Sequence, residues 1–194
     1  MNATPPVSAR VLTLPNVISA IRIAAIPVFC ALIVDPDTTT LGLIVFGVVL
    51  ATDWVDGTIA RRTGQVSKVG QILDPVADRL AIAAGLIALV VRDVFPLWAA
   101  AAILVRDLAV LVIGAYALRR WGTRIEVRWI GKAATLQLMV AIPAVSWGAL
   151  GLPPASAATV VGWLSFALGI VEYYLAAWAY IGDLRRAVAA REEG

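Results

Sequence analysis

The 194-residue chain contains no histidine and a single cysteine, Cys30. Without histidine there can be no phosphohistidine intermediate, no Ser-His-Asp triad and no histidine-ligated metal. A lone cysteine cannot form an internal disulfide, and Cys30 reads as a small core residue. Charge is also scarce: Asp, Glu, Lys and Arg make up 15% of the chain, against 61% hydrophobic residues. With a mean hydropathy of +0.87, this composition excludes an ordinary soluble domain and indicates a small polytopic membrane protein. The basic residues gather at the ends of apolar stretches rather than along a polar groove, which argues against nucleic acid as a partner. No repeat or low-complexity run divides the chain, so residues 1–194 are expected to form one domain, with 1–14 as a cytoplasmic lead-in.

Apolar stretches fall at about 16–34, 41–60, 75–92, 95–118, 131–151 and 157–182. Each approaches the roughly 20 residues a helix needs to cross the hydrocarbon core. The expectation is therefore an all-α fold with six transmembrane helices. The first stretch contains Arg22 and Pro27 and reads as a retained helix rather than a signal peptide. If all six cross, twelve of the 16 basic residues lie on one side and only Arg92 in the opposite loops. That bias places both termini in the cytoplasm of a multi-pass protein of the bacterial inner membrane. Ala81-x-x-x-Gly85 and Ala84-x-x-x-Ala88 would let helices approach closely, within one chain or between two. A homodimer is expected. Trp98, Trp121, Trp129 and Trp147 lie near span ends, where interfacial tryptophans gather.

Against this background stand four aspartates. Asp53-x-x-Asp56-Gly57-x-x-Ala60-Arg61 is followed, after eight residues, by Gly70-x-x-x-Asp74-x-x-x-Asp78. In helices, each half of the pattern lines one stripe. An ionised carboxylate at membrane depth costs roughly 3 kcal/mol even on permissive scales, and four together repel one another. A divalent cation is the simplest counter-charge for such an array. Gly57 and Ala60 leave room beside the carboxylates, and Arg61 is spaced to grip an anion. The competing reading, interhelical staples or a solvated loop, does not account for four aspartates in register with small residues.

The pattern resembles the signature of the CDP-alcohol phosphotransferase family at all eight defining positions. The Pro15-Asn16 opening and the Ile130-Gly131-Lys132 segment extend the resemblance over residues 11–140. They point to the branch that holds phosphatidylglycerophosphate synthases and the actinobacterial and mitochondrial type of cardiolipin synthase. The last fifty residues match in hydrophobicity alone. The resemblance implies the six-helix fold of that family, two Mg²⁺ or Mn²⁺ ions, and transfer of a phosphatidyl group from CDP-diacylglycerol to an alcohol with release of CMP. It implies that Asp53, Asp56 and Asp74 anchor the metals, with Asp78 near the second and best placed as general base. Gly57, Ala60, Arg61 and Gly70 would bind the CDP donor. The missing histidine excludes the phospholipase-D-type route to such lipids.

The acceptor is read from fewer residues. Asn16, Arg22, Arg106, Asp107, Arg119 and Lys132 could line its phosphate pocket, although Arg106–Asp107 could equally be a buried structural pair and Lys132 a helix-end cation. Asp107 follows Arg106, where phosphatidylglycerophosphate synthases usually carry glutamate, so phosphatidylglycerol is the expected acceptor and cardiolipin the product. Ala99, Ala102, Ile103 and Val110 would flank the lipid. The alternative is a phosphatidylglycerophosphate synthase using glycerol 3-phosphate. A cation transporter or channel is the rival from another class. It would need carboxylates continuing across the membrane, and Asp107 and Glu172 are the only other deep ones.

Overall fold

A computed structural model describes the backbone of residues 14–63, 70–121 and 129–192, and the side chains of 17–52, 76–117, 119–120, 129–131 and 133–186. The described chain is helical, without strands: α1 (Leu14–Val34), α2 (Thr39–Thr63), α3 (Gly70–Val91), α4 (Leu97–Trp121), α5 (Trp129–Ala149) and α6 (Ala155–Glu192). Among the described residues, four stretches are long and apolar enough to cross a membrane: Val17–Val34, Leu97–Ala117, Trp129–Ala149 and Ala155–Arg186. This is a multi-pass membrane protein. Leu164, Leu168, Val171, Leu175 and Trp178 recur at helical spacing along α6 and are exposed, as suits a face solvated by acyl chains. The helices fall into two compact units, Met1–Val94 and Phe95–Gly194.

In the first unit α1 packs along both α2 and α3. Phe29 of α1 and Phe46 of α2 are fully buried, with ring centroids 5.1 Å apart. The small residues of α3 are used inside this unit: Ala81 and Ala88 are buried, and a Cβ on Gly85 would come within 2.2 Å of the Phe46 ring. The corner between α1 and α2 is tight. Thr39 Oγ1 reaches Ile33 O at 3.1 Å and Asp35 O at 2.8 Å, and accepts from Arg92 Nε at 3.0 Å. Asp35 and Asp37 are exposed there, and the Asp37 amide donates to Asp35 Oδ1 at 2.9 Å. Those carboxylates shape a turn facing water, as their setting in the sequence suggests. At the end of α3, Val94 N donates to Leu89 O and Asp93 N to Val90 O, with Asp93 at φ 59°. This is the paired 6→1 and 5→2 bonding that stops a helix with a left-handed residue.

The second unit is built on an antiparallel α5–α6 hairpin, and α4 packs against α6. The hairpin turn repeats the cap, with Gly151 at φ 69°, its amide donating to Gly148 O and that of Leu152 to Trp147 O. The Trp147 indole donates to Pro153 O at 3.3 Å. Close approach of the two helices is set at Gly162, where a Cβ would lie 2.6 Å from the backbone nitrogen of Val145. Trp98 of α4 stacks on Trp163 of α6 at 5.7 Å, and Phe166 meets both edge-on. Trp98 thus anchors a helix contact besides lying near a span end. The last helix runs ten residues beyond the apolar stretch expected to end at 182. Hydropathy falls at Asp183, Arg185 and Arg186, yet the Ala- and Arg-rich tail remains a good helix former.

Candidate active site

Asp53, Asp56, Gly57, Ala60 and Arg61 all lie in α2, and Gly70, Asp74 and Asp78 all lie in α3. Three- and four-residue spacings in a helix share a face. The two helices touch within the first unit. The side chains of Asp53, Asp56, Gly57, Ala60, Arg61, Gly70 and Asp74 lie outside the described residues, as do those of Asn16 and Lys132. Among the described residues no three potential metal ligands converge.

Asp78 is described, and it is not isolated. Its Oδ1 accepts a hydrogen bond from Nη1 of Arg22 in an ion pair that links α3 to α1 across 56 residues of sequence. The Arg22 side chain is 3% exposed and that of Asp78 is 26% exposed. The cation is therefore shut inside the helix packing while the carboxylate keeps an open side. Ser19, one turn before Arg22, is also buried. In an α-helix, side chains three apart share a face. Arg22 was expected among residues gripping a substrate phosphate, and in the structure it is engaged by the last aspartate of the array.

The basic pair of α4 is built into a second network. Arg106 is 9% exposed. Its Nε donates to Tyr173 O at 3.2 Å and its Nη1 to Asp107 Oδ1 at 3.3 Å, and its guanidinium carbon lies 3.7 Å from the centroid of the Tyr173 ring. The Tyr173 hydroxyl donates to the same Asp107 oxygen. A guanidinium over an aromatic face and beside a carboxylate is well satisfied for so apolar a setting. Next along α6, Glu172 accepts from Gln137 Nε2 at 3.2 Å, joining α6 to α5. Each deep carboxylate of this unit thus has its own partner on a neighbouring helix, an arrangement of interhelical bonds rather than of an ion path. Arg119 is exposed in the last turn of α4. Ala99 and Ile103, expected to flank a lipid acceptor, are buried in packing. The apolar face that α4 leaves open carries Val105, Leu108, Leu111 and Val112 instead. Tyr173 and Gln137 were missed in the sequence because nothing local marks them, and Tyr173 meets Arg106 only through the tertiary packing of α4 on α6.

The model of the CDP-alcohol phosphatidyltransferase family matches residues 12–171. The chain belongs to that family and is a phosphatidyltransferase. The match reaches 31 residues beyond the 11–140 that carry recognisable motifs. The chain is 38% identical over 187 residues to a protein of Streptomyces coelicolor named cardiolipin synthase (CMP-forming), covering 93% of this chain and 86% of that one. It is 35% identical to the CDP-diacylglycerol–glycerol-3-phosphate 3-phosphatidyltransferase of Bacillus subtilis, covering 68% of this chain and 75% of that one. Identity to the enzyme of the same name from Escherichia coli K12 is 33%, covering 69% and 76%.

Proposed function

We propose that the chain makes cardiolipin, transferring the phosphatidyl group of CDP-diacylglycerol to phosphatidylglycerol and releasing CMP. The observation that carries the reaction is the helical register of the four aspartates on two touching helices of one unit. Their donor set is all oxygen and all anionic, which fits hard divalent cations such as Mg²⁺ or Mn²⁺. Asp53, Asp56 and Asp74 would hold two such ions, with Asp78 near the second. When bound, these would offset the charge of the donor pyrophosphate and make CMP a better leaving group.

The residues of the chain supply the rest. Gly57, Ala60 and Gly70, with little or no side chain, would admit the cytidine end of the donor, and Arg61 would hold a donor phosphate. The acceptor hydroxyl oxygen attacks the β-phosphorus of the donor. The new O–P bond forms as the bond to the CMP oxygen breaks. Asp78 takes the hydroxyl proton, a role for which a carboxylate with one open side is suited. The chain offers no nucleophile with an adjacent base, so a single displacement is the simpler course. The acyl chains of both lipids stay in the bilayer beside the open apolar faces.

Two observations favour phosphatidylglycerol over glycerol 3-phosphate. The cardiolipin synthase relative matches over 93% of this chain and the glycerol-3-phosphate transferases over 68–69%. In addition, the charge of Arg106 is offset by Asp107. That leaves less attraction for a doubly charged soluble phosphate than for the single phosphate of a lipid. Arg119 and Lys132 are proposed as further contacts for the acceptor phosphate. The proposal includes six membrane crossings, with α2 and α3 among them. The Lys and Arg bias then sets the termini and the active site on the cytoplasmic side of the bacterial inner membrane, working as a homodimer. The second reading, phosphatidylglycerophosphate synthesis, is favoured by the match to the Bacillus subtilis enzyme. The deciding experiment supplies purified protein with CDP-diacylglycerol and Mn²⁺, adds each acceptor in turn, and follows CMP and lipid products. Cardiolipin from phosphatidylglycerol is expected. Ready formation of phosphatidylglycerophosphate without cardiolipin would overturn the acceptor assignment.

A further inference from the structure

We infer that Arg22 is the positioning residue of the transfer reaction: it holds the Asp78 carboxylate in its working orientation and does not itself bind substrate phosphate. The inference rests on the proposed role of Asp78 as base and adds the element that aims it.

Three features of the pair carry this. The first is depth. Arg22 lies within the apolar stretch Val17–Val34 of α1, where a guanidinium persists only with a partner that justifies it. The second is the identity of the partner. Arg22 does not meet a neighbouring acid on its own helix but the last aspartate of the array, brought to it by the packing of α1 on α3. The third is the unequal exposure of the two side chains, 3% for the cation and 26% for the carboxylate. A phosphate-gripping arginine needs its fork turned toward the ligand. Here the fork is enclosed and the carboxylate stands on the accessible side. Asp78 would otherwise swing about its own side-chain bonds. A base must be within hydrogen-bond reach of the proton it takes, and an error of about 1 Å in such placement costs on the order of a hundredfold in rate. Nη1 of Arg22 donates to Oδ1 of Asp78 from within the helix packing. The packing of α1 on α3, with Ala77 and Ala81 of α3 buried, sets where that anchor stands.

The test combines kinetics with thermal unfolding of purified protein. Arg22→Gln should lower kcat by about 10- to 100-fold, with the KM of CDP-diacylglycerol and of the acceptor nearly unchanged. Arg22→Lys, which keeps a cation, should recover part of the loss. In the Asp78→Asn background Arg22→Gln should cost nothing further, because the group it aims is gone. Unfolding temperatures measured in EDTA should show the same coupling, the double variant losing less than the two single variants combined. Where Arg22→Gln alone does not purify folded, Arg22→Lys and the double variant, which carries no unmatched charge, supply the comparison. A raised KM for one substrate with kcat preserved would mean that Arg22 holds a phosphate, and would overturn the inference. So would a lowered unfolding temperature with normal kcat, or additive losses with Asp78→Asn. If the unaltered enzyme releases no CMP with either acceptor, the functional proposal fails instead. The unfolding cycle then reads the pair by itself, and additivity there rejects the pairing.

Discussion

Replacing Gly162 by alanine sets two effects of opposite sign against each other, and the structure decides between them. Alanine in a helix interior is favoured over glycine by about 1 kcal/mol. Against this, the added methyl would lie 2.6 Å from Val145 N, 2.8 Å from Val145 Cγ2 and 3.0 Å from the carbonyl carbon of Ala144. Comfortable non-bonded contact begins at about 3.5 Å, so α5 must retreat by about 1 Å. Two of the three obstructing atoms are backbone, which no rotamer change can clear. Overpacking of this kind costs about 1–3 kcal/mol, so the net effect is a loss of up to about 2 kcal/mol. Gly47→Ala is the matched control. It sits in α2 with nothing within 4 Å of the new methyl, and should show the propensity gain alone. The two variants should therefore differ by about 1–3 kcal/mol, or about 2–12 °C in unfolding temperature for a chain of this length. Tryptophan fluorescence of the detergent-solubilised protein can follow the transition, with Trp163 adjacent to the substitution. A Gly162→Ala protein that melts at or above Gly47→Ala would refute the close α5–α6 approach.

Further outcomes follow from the site. Excess EDTA should abolish CMP release and added Mg²⁺ or Mn²⁺ restore it; full activity in chelator would remove the dinuclear reading of the aspartates. Asp53→Ala, Asp56→Ala and Asp74→Ala should lose metal binding and turnover together. Asp78→Asn should keep donor binding while slowing the reaction by about 10²–10⁴-fold, and a near-normal rate in that variant would withdraw its role as base. Asp107→Asn leaves a buried guanidinium without its carboxylate and should cost about 3–5 kcal/mol. Tyr173→Phe removes one interhelical hydrogen bond and should cost about 0.6–1.7 kcal/mol. Equal unfolding temperatures for these two would show that Arg106 does not depend on the charge of Asp107.

Hydropathy located helices in the chain because a helix that crosses lipid needs an apolar run, and four of those described carry one long enough to cross. The run expected at 16–34 became α1 at Leu14–Val34, and that at 41–60 became α2 at Thr39–Thr63. The same signal shortened α6, because hydropathy reports where a helix leaves the lipid and not where it ends. The register of the aspartates was legible for a different reason, since spacing along one helix is local. What joins one helix to another was not legible. Arg22 and Asp78 lie 56 residues apart, and Arg106 and Tyr173 lie 67 apart. Neither partner has any periodicity that names the other. The left-handed Asp93 was hidden as well, because its conformation is set by how α3 must stop and not by its own preference.

The bond from Arg92 to Thr39 gives the first unit the mechanics of a pair of tongs. Arg92 closes the end of α3, Thr39 opens α2, and the carbonyls of Ile33 and Asp35 at the end of α1 meet the same hydroxyl. All three helices are thus riveted at one end, and the aspartates sit toward the other. Asp74 lies 17 residues before the end of α3, a lever arm of about 25 Å at helical rise. A tilt of about 2° at the rivet moves the jaw by nearly 1 Å, on the order of the difference between gripping and releasing a headgroup. Such a device needs no lid and no long loop. Flexing at that joint, at the far end of the helices from the aspartates, would be enough to change the spacing between them.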